Sequence, residues 1–330
     1  MTARMKSFGS LLGPSLSRYL ALKEALGRRY SVERDVLRHF DAFLASRGTD
    51  LSSETFAGWC QTQQHLASGV RRKRMRIVRN FCLYRRRSEP SCFVPDPVLF
   101  PSSHQPVRPH IFTEAEIVRL LHASDTLQPA SKSPLRRETF RLAIVLLYTA
   151  GLRRGELVRL MISDYDPQER TLLVRESKFH KSRLLPLSED ASRAVDAYLK
   201  ARQRRHFPIS KQTPLLWNHA TDRRSYTGSG VGQGVSLLLR AAGIRTATGR
   251  LPRVHDLRHS FAVHALLRWY RTGENVQAKL PFLATYMGHV SIVSTEYYLQ
   301  FTQELADLAS ERFARRYGAL VTPPPSGGAA

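Results

Sequence analysis

The chain has 330 residues and carries 51 Lys plus Arg against 27 Asp plus Glu, a formal excess of +24. A charge of this size makes a polyanion (nucleic acid, an anionic membrane surface or an acidic protein) the first partner to consider. The composition, 42% hydrophobic and 24% charged, is that of a globular chain, and its length suits two domains. Its longest apolar stretch, 143–150, falls far short of the ~20 residues needed to span a bilayer.

The first helix is expected around Leu16 to Leu26. Pro14, Arg18 and Lys23 interrupt its Leu-rich start, unlike a secretory h-region, so a cytoplasmic location is expected. Ser31 is the expected N-cap of a second helix, in which Val32, Val36, Leu37, Phe40, Phe43 and Leu44 recur at helical spacing until Gly48. A third, shorter helix holds Phe56 and Trp59. The fourth spans about Ser68 to Tyr84, with Val70, Ile77, Val78 and Phe81 on one side and Arg71, Arg72, Lys73, Arg74, Arg76 and Arg79 on the other. Residues 1–88 are therefore expected to form an all-helical domain. Cys60, Cys82 and Cys92 contain no C-x-x-C pair, which argues against a disulfide framework or a Cys zinc site.

Six prolines between positions 90 and 109 forbid a continuous helix, so residues 89–110 are expected to be a linker. Thr113 and Glu116 form a capping-box pattern that opens a second domain, 111–320. A largely buried helix is expected over Arg136 to Ala150, stopped by Gly151, and a short one over Arg153 to Leu160. Thr171 to Val174 and Arg183 to Leu187 read as a β-hairpin with a polar tip. Helical patterns return at Ser188 to Arg204, Ser229 to Ala242, His255 to Arg271, Val276 to Met287 and Gln303 to Tyr317. The tail, 321–330, is Pro/Gly/Ala-rich and expected to be disordered.

Four segments of the second domain hold polar residues that are costly in their surroundings. Gly151 ends a buried helix and leaves Arg153 at the start of the next. The hairpin tip contributes Lys178, His180 and Lys181. His255 and Arg258, three apart on one helix, can reach a single ligand. His255 and His259 also have the i, i+4 spacing of zinc ligands, but Asp256 is too short for the accompanying general base and Arg258 would put a cation beside the metal. No metal is therefore assigned. The last segment contains Gly288, His289 and the pair Tyr297-Tyr298. Each segment alone has an ordinary reading as a solvated helix end, a basic turn or core packing. Together they provide two Arg, one or two Lys, two His and a Tyr, with no carboxylate cluster. That set suits attack on a phosphodiester: fixed Arg forks stabilise charge on the non-bridging oxygens, a Tyr hydroxyl is the nucleophile, and Lys or His moves the proton.

In this order and spacing the chain resembles the tyrosine recombinase, or integrase, family of site-specific DNA recombinases. The matching residues are Gly151-Leu152-Arg153-Arg154-Gly155-Glu156, a hairpin running from Ser177 through Lys178, Lys181 and Arg183 to Leu187, His255 to Arg258, Met287-Gly288-His289, and Tyr298 nine positions after His289. Ser177 and Phe179 replace the family's hairpin glycines, which puts the aim of Lys178 in question and leaves Lys181 as a substitute. The resemblance implies a mainly α fold: an N-terminal helical (SAM-like) DNA-binding domain, and a mixed α catalytic domain with a small antiparallel β-sheet. It implies that Arg153 and Arg258 clamp the scissile phosphate, His289 adds a hydrogen bond, His255 assists proton transfer, Tyr298 attacks, and Lys178 protonates the leaving oxygen. Glu156 steadies the site, and neither metal nor ATP is required. The implied partner is double-stranded DNA, contacted by the Arg71 to Arg79 face, with homotetramers on two DNA sites joined through the C-terminal helix. A type IB topoisomerase uses a similar site and is the alternative enzyme. A DNA-binding protein without chemistry would have lost one of the six positions, all of which are filled.

Overall fold

The computed structural model describes residues 8–28, 30–102, 108–131, 133–175, 182–219, 225–289, 291, 293–296, 298 and 303–321. The chain divides into two compact units, Met1–Val107 and Arg108–Ala330.

The described residues of the first unit form helices α1 (Gly13–Ala25), α2 (Ser31–Arg47), α3 (Ser53–Gln61) and α4 (Ser68–Arg85). Their apolar faces converge on Leu16, Leu37, Phe40, Trp59, Val78 and Phe81, all buried. Gly48 ends α2 in the left-handed conformation, where glycine carries no Cβ penalty. At the other end of α2 the capping residue is Tyr30, also left-handed, with Ser31 already helical. The expected Ser31 cap is thus displaced by one residue, and the cap makes no side-chain hydrogen bond. Phe100 joins the core, and Phe93 and Val94 pack against it. Arg79 Nε donates to the Pro95 carbonyl (3.0 Å) and Arg72 Nη1 to that of Pro101 (2.8 Å). Residues 93–101 of the Pro-rich stretch are thereby held on the helical unit.

In the second unit, α5 (Glu114–Asp125) starts at the Thr113–Glu116 capping box. It packs on α6 (Arg136–Thr149), which supplies Leu142, Ala143, Ile144, Leu146 and Leu147 to the core. After α7 (Arg154–Leu157) come β1 (Tyr165–Asp166), β2 (Thr171–Val174) and β3 (Arg183–Pro186). These strands form an antiparallel sheet of order β1-β2-β3, with Leu172 opposite Leu185 and Val174 opposite Arg183. The hairpin tip, 176–181, lies outside the described residues. Helices α8 (Glu189–Arg204), α9 (Gly228–Ala241), α10 (Val254–Arg271), α11 (Val276–Met287), α12 (Val293–Glu296) and α13 (Gln303–Val321) follow. The mainly α fold with a small antiparallel sheet is therefore as expected.

Helix α10 is the central support. Its first turn is closed by Asp256, which accepts from the Arg253 amide (2.8 Å), so this carboxylate is engaged in capping. Ser260 Oγ accepts from the buried Phe112 amide (2.8 Å), tying the entry to the second unit onto the same helix. Helix α13 packs back on α10 within one chain. Leu305 is buried, Glu304 pairs with Arg271, and Arg312 donates to the Gly273 and Glu274 carbonyls (2.7 and 2.8 Å). Further along α13, Phe313 and Tyr317 are exposed. Among the described residues no helix is long and apolar enough to cross a membrane.

Candidate active site

Three connections bring the polar residues of the second unit together. Gly151, left-handed at φ +57°, follows α6, and a Cβ there would sit 2.6 Å from the Phe261 ring. The turn delivers Arg153 to the N-terminus of α7. One helical turn later Glu156 reaches back, accepting from the Arg153 amide (2.9 Å) and from Arg153 Nη1 (2.8 Å). Across from it, Arg183 on β3 forks both Glu156 oxygens (3.1 and 2.9 Å) and donates through Nε to the Tyr286 carbonyl (2.8 Å).

Gly288 makes the second connection. It caps α11 in the left-handed region, and a Cβ there would lie 2.8 Å from Arg183 Nη1 and 3.3 Å from Arg153 Nη1. Both its φ and this close approach call for glycine. Its carbonyl accepts from Arg153 Nη2 (2.9 Å), and the next residue is His289. Arg258, reaching in from α10, is 1% exposed and donates to the carbonyls of Gly151 and Met287. It also meets His289 Nε2 at 3.0 Å, while His289 Nδ1 lies 2.8 Å from Thr295 Oγ1.

The third connection contains α12 and leads to Tyr298. Its side chain is buried, 3% exposed, with the ring stacked on His289 (centroids 6.0 Å, interplanar angle 19°) and tilted against His259 (5.4 Å). His259 in turn meets His255 edge-on at 4.7 Å. Arg153, Glu156, His255, Arg258, His289 and Tyr298 thus belong to one constellation. Lys178, its substitute Lys181 and the neighbouring Tyr297 lie outside the described residues.

The electrostatics are lopsided. Burial alone would raise the Glu156 carboxyl, but hydrogen bonds and charge from Arg183 and Arg153 outweigh it and hold the pKa at about 2. The pKa of Arg258 is lowered to about 10 by burial and then by the charge of Arg153, so it stays protonated at neutral pH. His289 is lowered to about 4, first by burial and then by Arg258, Arg153 and Arg183. Burial, followed by His255, brings His259 to about 4 as well. His255 is lowered by the protein packed around its ring and by Arg258 and Arg153, although one side of the residue remains open to solvent. Three guanidinium groups therefore surround one buried carboxylate and a set of neutral imidazoles. The excess positive charge suits an anion with several oxygens, such as a phosphodiester.

Two participants were not singled out from the sequence. Arg183 was part of the hairpin pattern without a role of its own, and its register opposite Val174 is the signal that points it at Glu156. Thr295 carries no local signal, because its partner His289 is set by the course of the chain between them.

The six candidate DNA contacts belong to α4 in the first unit. Lys73 and Arg76 are exposed, whereas Arg71, Arg72, Arg74 and Arg79 are half-buried. Arg72 and Arg79 hold the carbonyls described above, and Arg74 donates to Gln63 Oε1 (3.1 Å).

Residues 110–304 match the model of the phage integrase family. Over 306 residues the chain is 31% identical to a putative integrase/recombinase, y4rB, of Sinorhizobium fredii, covering 92% of this chain and 97% of that protein. Tyrosine recombinase XerC of Staphylococcus saprophyticus is 27% identical over 277 residues, covering 82% and 85% of the two chains. In fold the chain resembles the Tn1549 transposon integrase, solved in complex with transposon right end DNA, with a TM-score of 0.62 at 17% identity, covering 91% and 98%. With this likeness along most of its length and through the segment that builds the site, the chain belongs to the phage integrase family and is a tyrosine-type DNA recombinase.

Proposed function

We propose that this recombinase cuts and rejoins double-stranded DNA at specific sites through a 3′-phosphotyrosyl intermediate, using neither metal nor ATP. The observation that carries the reading is the Tyr298 ring stacked on His289, itself hydrogen bonded to the buried Arg258. This chain of contacts joins the proposed nucleophile to the proposed phosphate ligand and cation. Arg153 and Arg258 take the non-bridging oxygens, whose charge grows in the transition state. His289 adds a hydrogen bond, and His255 assists proton transfer. The Tyr298 oxygen bonds to phosphorus as the bond to the 5′-oxygen breaks, and Lys178 supplies the proton that leaves with it. Attack by a 5′-hydroxyl of a second DNA reverses these steps and frees Tyr298. The phosphate-ester bond energy is conserved throughout, so no nucleotide is consumed.

The exposed side chains of α4, with Lys73 and Arg76 foremost, contact the DNA backbone. The reaction takes place in the cytoplasm, in a homotetramer on two DNA sites joined through α13. Exposed Phe313 and Tyr317 offer the apolar surface for that contact.

A strand-exchange assay tests the reading. Two duplexes carrying the chain's own site are incubated with the protein and chelator, and recombinant joints are scored. Joints are expected without metal or ATP. Relaxation of supercoiled DNA without any joint between two duplexes would instead favour topoisomerase chemistry.

A further inference from the structure

Thr295 is fully buried on α12, three residues before Tyr298, with its hydroxyl 2.8 Å from His289 Nδ1. On the other side of the ring, His289 Nε2 lies 3.0 Å from Arg258 Nη2. A guanidinium nitrogen only donates, so Nε2 must accept. With its pKa lowered to about 4, first by burial and then by the adjacent Arg258 charge, the imidazole is neutral at pH 7. Its single proton is then on Nδ1 and is donated to Thr295 Oγ1. In that tautomer Nε2 has no proton to offer a phosphate oxygen.

We propose that Thr295 is a positioning residue that lets His289 change tautomer, from acceptor for Arg258 in the free protein to donor toward the scissile phosphate in the DNA complex. The proposal rests on the reading of His289 as a phosphate ligand. When a phosphate oxygen takes the Arg258 Nη2 donor, Nε2 must gain a proton to join the same phosphate. The ring releases its Nδ1 proton to solvent and takes one up on Nε2, with no net change in protonation. Thr295 then rotates its hydroxyl and donates to Nδ1. A hydroxyl both donates and accepts, so it can serve either tautomer with no movement of a heavy atom. A backbone carbonyl at the same position would fix the proton on Nδ1, and an aliphatic side chain would leave this half-buried nitrogen without its partner. Because Thr295 lies on the segment that leads into Tyr298, one contact ties the histidine to the approach of the nucleophile.

Two measurements test this. Protein labelled with 15N-histidine is examined by NMR, with the His289 signals identified by their loss in His289→Gln. Free protein should carry the proton on Nδ1, and Tyr298→Phe protein bound to a nicked duplex of the chain's own site should carry it on Nε2. Single-turnover cleavage of that duplex should fall roughly tenfold in Thr295→Val, below the ~100-fold typical of losing a donor outright. In Thr295→Ser it should stay near the wild-type rate, with duplex affinity unchanged in both variants. A proton that remains on Nδ1 in the complex, wild-type cleavage by Thr295→Val, or equal losses in the Ser and Val variants would overturn the proposal. Covalent capture of DNA by Tyr298→Phe would overturn the site reading itself. Loss of capture in Tyr298→Phe together with normal cleavage by Thr295→Val would remove only the role of Thr295.

Discussion

Glu156 is the residue on which the positive side of the site depends. It is 3% exposed and bound by two arginines, so replacing it with Gln leaves Arg153 and Arg183 without a counter-charge in a partly dry environment. Breaking a buried pair from one side costs about 3–5 kcal/mol. Urea unfolding of Glu156→Gln should show a loss near the lower end, since the amide keeps some hydrogen bonds. The shifted pKa values also set the response to acid. His259 and His289 titrate near 4 when folded against an ordinary 6.5, so below pH 6.5 the unfolded chain binds protons that the native state refuses. Their share of the stability is present above pH 6.5 and is lost as the pH falls towards 4. Glu156, held at about 2 against an ordinary 4.5, withdraws its share only as the pH falls from 4.5 towards 2. Thermal denaturation should therefore show Tm declining from pH 7 to 5, less so in His289→Gln. At this scale the sequence was legible wherever a residue's placement is set by near neighbours. Arg153 after its glycine turn and the His255–Arg258 helix face were both readable. Arg183 and Thr295 were not, because each acts on a partner brought to it by the fold.

Among the elements, the helices were legible because each buries one stripe against a core. The fourth helix was read as Ser68 to Tyr84 and runs Ser68–Arg85, and Val276 to Met287 matches at both ends. The short strand β1 was missed, since two residues carry no alternation to detect. The Pro-rich stretch also held more than its composition indicated. Proline excludes a helix there but does not prevent Phe100 from entering a core or carbonyls from receiving arginine donors. The packing of α9 on α6 gives a prediction at this scale. A Cβ on Gly234 would fall within 2 Å of the Phe140 ring. Gly234→Ala should therefore lose about 1–3 kcal/mol from overpacking, despite the better helix propensity of Ala. Denaturant unfolding monitored by circular dichroism would measure it.

For the whole molecule, the +24 excess divides into parts with different tasks. Arg153, Arg183 and Arg258 lie at the site, Arg72 and Arg79 hold carbonyls within the first unit, and Lys73 and Arg76 are open to solvent. Binding to non-specific duplex DNA should weaken linearly on a logarithmic salt scale. In the double variant Lys73→Ala, Arg76→Ala the slope should become shallower by about 1.8, two phosphate contacts at ~0.9 each. Arg79→Ala should chiefly lower the Tm of the chain, and a large change in its slope with no stability loss would reverse that division. The chemistry proposed for the site turns on Tyr298 forming the covalent bond to DNA. Its most direct measurement is covalent capture on a nicked suicide duplex of the chain's own site, with the linked peptide mapped by mass spectrometry. DNA should be attached to Tyr298, with capture abolished in Tyr298→Phe and retained in Tyr297→Phe. Attachment at Tyr297, or undiminished capture by Tyr298→Phe, would contradict it.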